Sequence, residues 1–153
     1  MMIIMYITQI SVYLENDHGT LRTLTKTLAE AGIDMLGMSI ADTANFGIAR
    51  IVVREADFNT AITALINAGF MARKNQVLCA AVPNKPAGLD SVLAVIEANG
   101  IFIEYMYSFN YNLDGSALLI LRLSSDDKDE AAIAALLTEN GVKLVSQEAV
   151  NAL

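Results

Sequence analysis

Val12-Tyr13-Leu14-Glu15-Asn16-Asp17-His18-Gly19-Thr20-Leu21 is followed 68 residues on by Ala80-Ala81-Val82-Pro83-Asn84-Lys85-Pro86-Ala87-Gly88-Leu89, and the two stretches share a pattern. Each begins as an apolar run, passes through a short polar turn rich in small residues, and enters an apolar-periodic segment. At this offset Asn16 meets Asn84, Leu21 meets Leu89, Leu24 meets Val92, Leu28 meets Ile96 and Gly32 meets Gly100. Recurrence at a fixed spacing marks a repeated structural unit. Each copy reads as a strand, a tight turn and a helix.

Working outward, Ile10, Val12 and Leu14 alternate with Gln9, Ser11 and Tyr13, the signature of a half-buried strand. Leu21, Leu24, Leu28 and Ala31 fall on one stripe of a helix over 20–31, which Gly32 stops. Strands are predicted over 33–41 and 48–54 around the loop 42–47. A second helix, capped by Asp57, carries Phe58, Ile62, Leu65 and Ile66 and stops at Gly69, with a last strand from Phe70. The second half repeats the order: a strand over 76–82, a helix over 89–98 with Leu89, Val92, Leu93 and Ile96 inward, and strands over 101–111 and 117–123. The acidic run Ser125-Asp126-Asp127 suits the start of a helix carrying Ile133, Leu136 and Leu137, which Gly141 ends before a strand over 142–147.

The expected fold is therefore α+β, two tandem ferredoxin-like βαββαβ units over 5–75 and 76–150, with antiparallel sheets packed side by side. No linker separates them; residues 70–82 must supply the last strand of one and the first of the next. In the second copy Ile101, Ile103, Tyr105, Tyr107, Phe109 and Tyr111 make every odd position apolar or aromatic, with Phe102 and Met106 opposite. A sheet apolar on both faces needs cover on both.

The chain has 153 residues, 54% of them hydrophobic, a formal charge of −7 and a mean hydropathy of +0.44. Two units of about seventy residues sit near the lower limit for an independent core, and so apolar a composition points to a homodimer. Ten scattered basic residues against seventeen acidic ones argue against nucleic acid, although sheet aromatics can stack bases. Arg122 is the sole basic residue from Leu89 to Leu123. The single cysteine, Cys79, sits in an apolar stretch and reads as a buried small hydrophobe. The apolar start, Met1 to Ile7, has no basic residue before it and merges into a strand pattern. It reads as neither signal peptide nor membrane span, and a cytoplasmic protein is expected.

The chemistry points to the two turns. A strand that ends in a tight turn feeding a helix leaves the first helical N–H groups without intrahelical acceptors, and these suit a carboxylate. Glycine lets a ligand approach the backbone, and an Asn side chain offers both donor and acceptor. Such turns are also ordinary strand–helix connections, for which Asn, Gly and Pro are common.

Asn-x-Pro-Gly-x-Leu after a strand, within βαββαβ, resembles the ACT domain, a small regulatory unit that binds amino acids, and the resemblance spans nearly the whole chain as two tandem copies. The stretch from Ser11 to Leu21 is also similar to the opening of acetolactate synthase regulatory subunits. The first copy carries Asn16 and Gly19, with His18 in place of the family's proline; the second carries Asn84 and Pro86, with Ala87 in place of its glycine. The resemblance implies ligand contacts at Asn16, Asp17, His18, Gly19, Thr20 and Leu21, and again at Asn84, Lys85, Pro86, Ala87, Gly88 and Leu89. It adds the start of the second strand, Asp34 and Met35 in one copy and Phe102 in the other. Ala87 puts a methyl group where the ligand's backbone end would lie, so the first turn is favoured; Asp34 can take an ammonium and Phe102 cannot, which makes the two sites chemically unequal.

The resulting expectation is a non-catalytic amino-acid sensor, with no cofactor beyond its effector, acting on a metabolic enzyme. The alternative is the regulatory small subunit of acetolactate synthase. His18, the sole histidine, has no nucleophile or acid arranged with it. Asp126, Asp127, Asp129 and Glu130 read as a helix start rather than a cation site.

Overall fold

The structure, a computed structural model, describes residues 5–15, 17–42 and 46–153. The chain runs β1 (Ile7–Glu15), α1 (Thr20–Glu30), β2 (Gly37–Asp42), β3 (Phe46–Val52), α2 (Phe58–Asn67), β4 (Met71–Pro83), α3 (Gly88–Ala98), β5 (Phe102–Leu113), β6 (Ser116–Ser124), α4 (Glu130–Glu139), β7 (Lys143–Leu144) and α5 (Gln147–Asn151). It divides into two compact units. The first is Thr8–Gln76; the second is Val77–Leu153 with the start of the chain up to Ile7.

The expectation of two separate ferredoxin-like sheets packed side by side is corrected by the strand order. The hydrogen-bonded strand order is a single sequence, β1-β3-β2-β5-β6-β4-β7, with an additional pairing of β1 with β4. The reason lies in β4. Residues 71–82 contain no glycine or proline, nothing reverses the chain there, and one strand of 13 residues forms where two strands were expected.

In the first unit β3 pairs antiparallel with both β1 and β2. Ile10, Val12 and Leu14 of β1 join Leu24 and Leu28 of α1 and Phe58, Ala61 and Leu65 of α2 in one buried cluster. β1 is not half-buried as its alternation suggests, because Gln9 and Ser11 on its other face are buried too. Their polarity is answered locally: the Ser11 hydroxyl donates to Asn75 Oδ1 at 3.0 Å and Gln9 Nε2 to the same oxygen at 3.3 Å. Buried polar groups persist when paired in this way. Asp57 stands at the N-cap of α2 but makes no side-chain cap bond, since a 3₁₀ turn over Glu55–Asp57 leads into the helix instead.

In the second unit β4 pairs with β6 and β7, and β6 with β5. Leu78, Ala80 and Val82 face Val92 and Ile96 of α3 and Ile133 and Leu137 of α4. On the opposite face Cys79, Leu118 and Ile120 are also buried, so this part of the sheet is covered on both sides. Burial pushes the Cys79 thiol up to about 12. β5 and β6 meet through the two-residue turn Asp114-Gly115, with φ of 50° and 78°, the left-handed pair that a type I′ hairpin requires.

The odd–even alternation expected of β5 fails at a bulge. Ile103 lies across from Leu123 and Tyr105 across from Arg122, so Glu104 is an extra residue. Ile103 and Met106 then share the helix-bearing face, while Tyr105 and Tyr107 turn to the other. Much of β5 is open to water, with Phe102, Ile103, Met106 and Tyr111 all exposed. α4 begins later than the acidic run suggests. Asp129 caps it, accepting from the Ala132 N–H at 2.8 Å, while Ser125 and then Lys128 hold the Asp127 carboxyl below its usual range. The expected last strand shrinks to two residues because Ser146 accepts from the Ala149 N–H at 3.1 Å and starts α5. Among the described residues no helix is long and apolar enough to cross a membrane.

Candidate functional site

The two strand-to-helix turns are built by the same hydrogen bonds. In the first, Asp17 N–H donates to Glu15 O at 2.8 Å, Thr20 N–H to Asp17 O at 3.3 Å and Thr23 N–H to Gly19 O at 3.0 Å. In the second, Lys85 N–H donates to Pro83 O at 2.9 Å, Gly88 N–H to Lys85 O at 3.1 Å and Ser91 N–H to Ala87 O at 3.0 Å. Even the hydroxyls agree: Thr23 donates to Gly19 O at 3.1 Å and Ser91 to Ala87 O at 2.7 Å. The repeat seen in the sequence is thus a repeat of turn geometry.

Both N-caps are left-handed, Gly19 with φ 87° and Ala87 with φ 68°, and neither has a side-chain cap bond. Glycine adopts this conformation freely, whereas an L-residue pays roughly 1–2 kcal/mol. Ala87→Gly is accordingly expected to stabilise the protein by about 1 kcal/mol, read as a rise in the urea midpoint at unchanged slope. A loss of stability would show that the methyl group makes a contact worth more than the strain.

A cavity of about 560 Å³ opens at the first turn, lined by Tyr13, Leu14, Glu15, Thr20, Ala68, Gly69, Phe70 and Met71. The end of β1, the start of α1 and the turn from α2 into β4 form its walls. Among the described residues a Cβ at Gly19 would meet nothing within 4 Å, so the backbone is approachable there. Among the described residues nothing accepts from the N–H groups of Leu21 and Arg22. A second cavity, of about 330 Å³, lies at the corresponding place in the other unit, between Pro83, Lys85 and Gly88 on one side and Asn140 to Lys143 on the other. Gly88, in the place of Thr20, is packed closely here: a Cβ on it would run into the Pro83 carbonyl oxygen.

Of the residues singled out from the sequence, Thr20 lines the first cavity and Lys85 and Gly88 line the second. Asn16 lies outside the described residues. Asp17 and His18 are exposed on the first turn, as are Asn84, Pro86 and Ala87 on the second. The Asn84 N–H donates to Gly115 O at 3.4 Å. Leu21 and Leu89 were expected to face inward, but both are exposed on the first turn of their helices. Asp34 pairs with Arg54 at 3.4 Å, and half-buried Met35 packs against the first unit's core. Phe102 opens β5 with more than half its surface exposed. None of Asp34, Met35 and Phe102 lines either cavity.

The sequence reading missed the far walls, Ala68 to Met71 and Asn140 to Lys143. The signal was present, since Gly69 and Gly141 stop equivalent helices. Arg122 is held by Glu104 at 3.3 Å and by Glu130 at 2.8 Å, which removes it as a free phosphate ligand. Among the described residues no three His, Cys, Asp or Glu side chains gather as a metal site.

The family model described as an ACT domain pair matches residues 5–153. Among solved structures, protein BT0572 from Bacteroides thetaiotaomicron is 35% identical, with a TM-score of 0.81 over 97% of this chain and 98% of that one. The ligand-free regulatory subunit of aspartate kinase from Thermus thermophilus shares the fold at 14% identity and a TM-score of 0.59, covering 88% and 92% of the two chains. The regulatory subunit of aspartate kinase from Thermus flavus does so at 14% and 0.51, covering 89% and 96%. No curated protein matches the chain.

Proposed function

The chain belongs to the ACT domain pair family, and on that premise we propose that it is a non-catalytic, cytoplasmic regulatory protein whose first turn binds an amino acid. The observation that carries this reading is the cavity of about 560 Å³ beside the start of α1, within the range of small-molecule sites. The effector's carboxylate would meet the N–H groups of Leu21 and Arg22, with Asn16, Asp17, His18 and Gly19 around it. Glu15 on the rim suits the ammonium, and Tyr13, Phe70 and Met71 suit an apolar side chain. No cofactor enters this scheme. Occupancy would shift the turn and alter a partner metabolic enzyme, for which a coupling of about 1–3 kcal/mol suffices.

A thermal-shift screen against the twenty amino acids tests this. A ligand at 100 times its dissociation constant adds about 2.7 kcal/mol, roughly 5–10 °C for a chain of this size. Met71→Glu should remove the shift, since Met71 is 72% exposed and a charge there alters the cavity rather than the core; Asn16→Ala should weaken it. No shift with any amino acid, or a shift that survives both substitutions, would sink the assignment. We further propose a homodimer, supported by exposed Phe102, Ile103, Met106 and Tyr111 on β5. Light scattering should then give twice the 16.5 kDa chain mass, and a monomer at micromolar concentration would exclude it.

A further inference from the structure

The repeat supplies an internal control for the charge of the two cavities. Lys85 occupies the place of Asp17, and Pro83 that of Glu15, at the offset that aligns the turns. On the far wall Gly141 occupies the place of Gly69, which puts Lys143 where the first unit has Met71. One fold position is thus acidic and apolar in one unit and doubly basic in the other. Among the described residues no Asp or Glu lines the second cavity, in a chain where acidic residues outnumber basic ones seventeen to ten.

The two lysines come from different elements that the sheet draws together. Lys143 opens β7, in register with Ala81 of β4, and Lys85 sits on the turn into which β4 leads. Among the described residues neither makes an ion pair with a carboxylate. Ser91, Ser116 and Asn140 add polar atoms to the same lining. Two cations sharing one cavity repel each other, and a bound anion relieves that repulsion.

We propose that this second cavity binds a small multivalent anion, a phosphorylated or polycarboxylate metabolite, bridging Lys85 and Lys143. The assignment does not rest on the amino-acid reading of the first cavity and gives the two repeats different ligands. Lysine acts as a compact point charge and sets charge rather than a fixed geometry, so phosphate and carboxylate groups share the chemistry and experiment separates them.

The test is calorimetric titration of the full chain with pyrophosphate and, separately, with citrate, at constant ionic strength. Binding of at least one is expected, weakened at least tenfold in Lys85→Gln/Lys143→Gln. Both lysines are exposed, so the variant should fold, as its unliganded melting temperature will show. Lys26→Gln/Arg73→Gln changes net charge equally and should leave affinity intact. Pyrophosphate alone assigns a phosphoryl ligand, citrate alone a polycarboxylate, and both together a site that reads charge. Binding of neither anion overturns the proposal, as does equal affinity in the lysine variant or an equal loss in the charge control. An amino-acid thermal shift retained by the lysine variant would show that the two sites stand separately.

Discussion

Replacing Gly88 by alanine is expected to cost about 2–3 kcal/mol and to lower the melting temperature by roughly 5–10 °C. The added Cβ would collide with the carbonyl oxygen of Pro83 and lie 3.4 Å from Val82 Cγ1. The first of these is backbone, fixed at the end of β4, so no side-chain rotation relieves the clash. The same oxygen accepts the Lys85 N–H that shapes the turn, and moving it would disturb that bond. Thermal and urea unfolding of Gly88→Ala against the parent measure the loss. Unchanged stability would mean that the turn yields easily and that its tight packing is not what demands glycine.

The second large effect is expected in the two cores. Leu65 of α2 and Leu137 of α4 hold the same place in the repeat, and both are fully buried. Each packs into its own unit's cluster, Leu65 with Leu24, Leu28 and Phe58, and Leu137 with Val92, Ile96 and Ile133. Truncation to alanine removes the side chain's transfer free energy and leaves a cavity, together about 3–4 kcal/mol at such sites. Urea unfolding of each variant reads the two losses separately. A loss below about 1 kcal/mol in either would show that the surroundings collapse into the space, and that the position is less tightly packed than its burial implies.

The repeat was legible because both copies kept the residues that shape a turn and a helix stripe. Leu24 and Leu28 reappear as Val92 and Ile96, buried in the equivalent places. Glycines at 32, 69, 100 and 141 all take the positive φ that ends a helix. What sequence pattern could not show was pairing between strands. Nothing in 71–82 says which strands its extended run will pair with, because a strand's partners are chosen by chain elsewhere in sequence. The bulge at Glu104 was invisible for a related reason: one extra residue reverses every side chain beyond it, yet the residues on either side remain apolar or aromatic. α5 was hidden because Val145 and Val150 fit a strand as well as a short helix, and the Ser146 cap decided between them.

For the candidate site, the turns were legible and the opposite walls were not. Gly19 and Ala87 could be read as places where the backbone is special, and both are left-handed. The Asn140–Lys143 wall reaches the second turn only through the register of β7 on β4, which leaves no local trace. Lys85 stands in the place of Asp17 in the repeat, but no sequence pattern puts Lys143 in the same cavity lining.

Cys79 carries a practical consequence. It is the chain's single thiol, fully buried opposite Ile120, with its ionisation pushed up to about 12. Alkylating reagents attack the thiolate, so modification must wait for the surrounding structure to open. The labelling rate then counts openings, and any compound that binds only the closed form slows the count in proportion to its occupancy. The protein therefore carries its own stopwatch for effector discovery, needing neither a fluorophore nor a known partner.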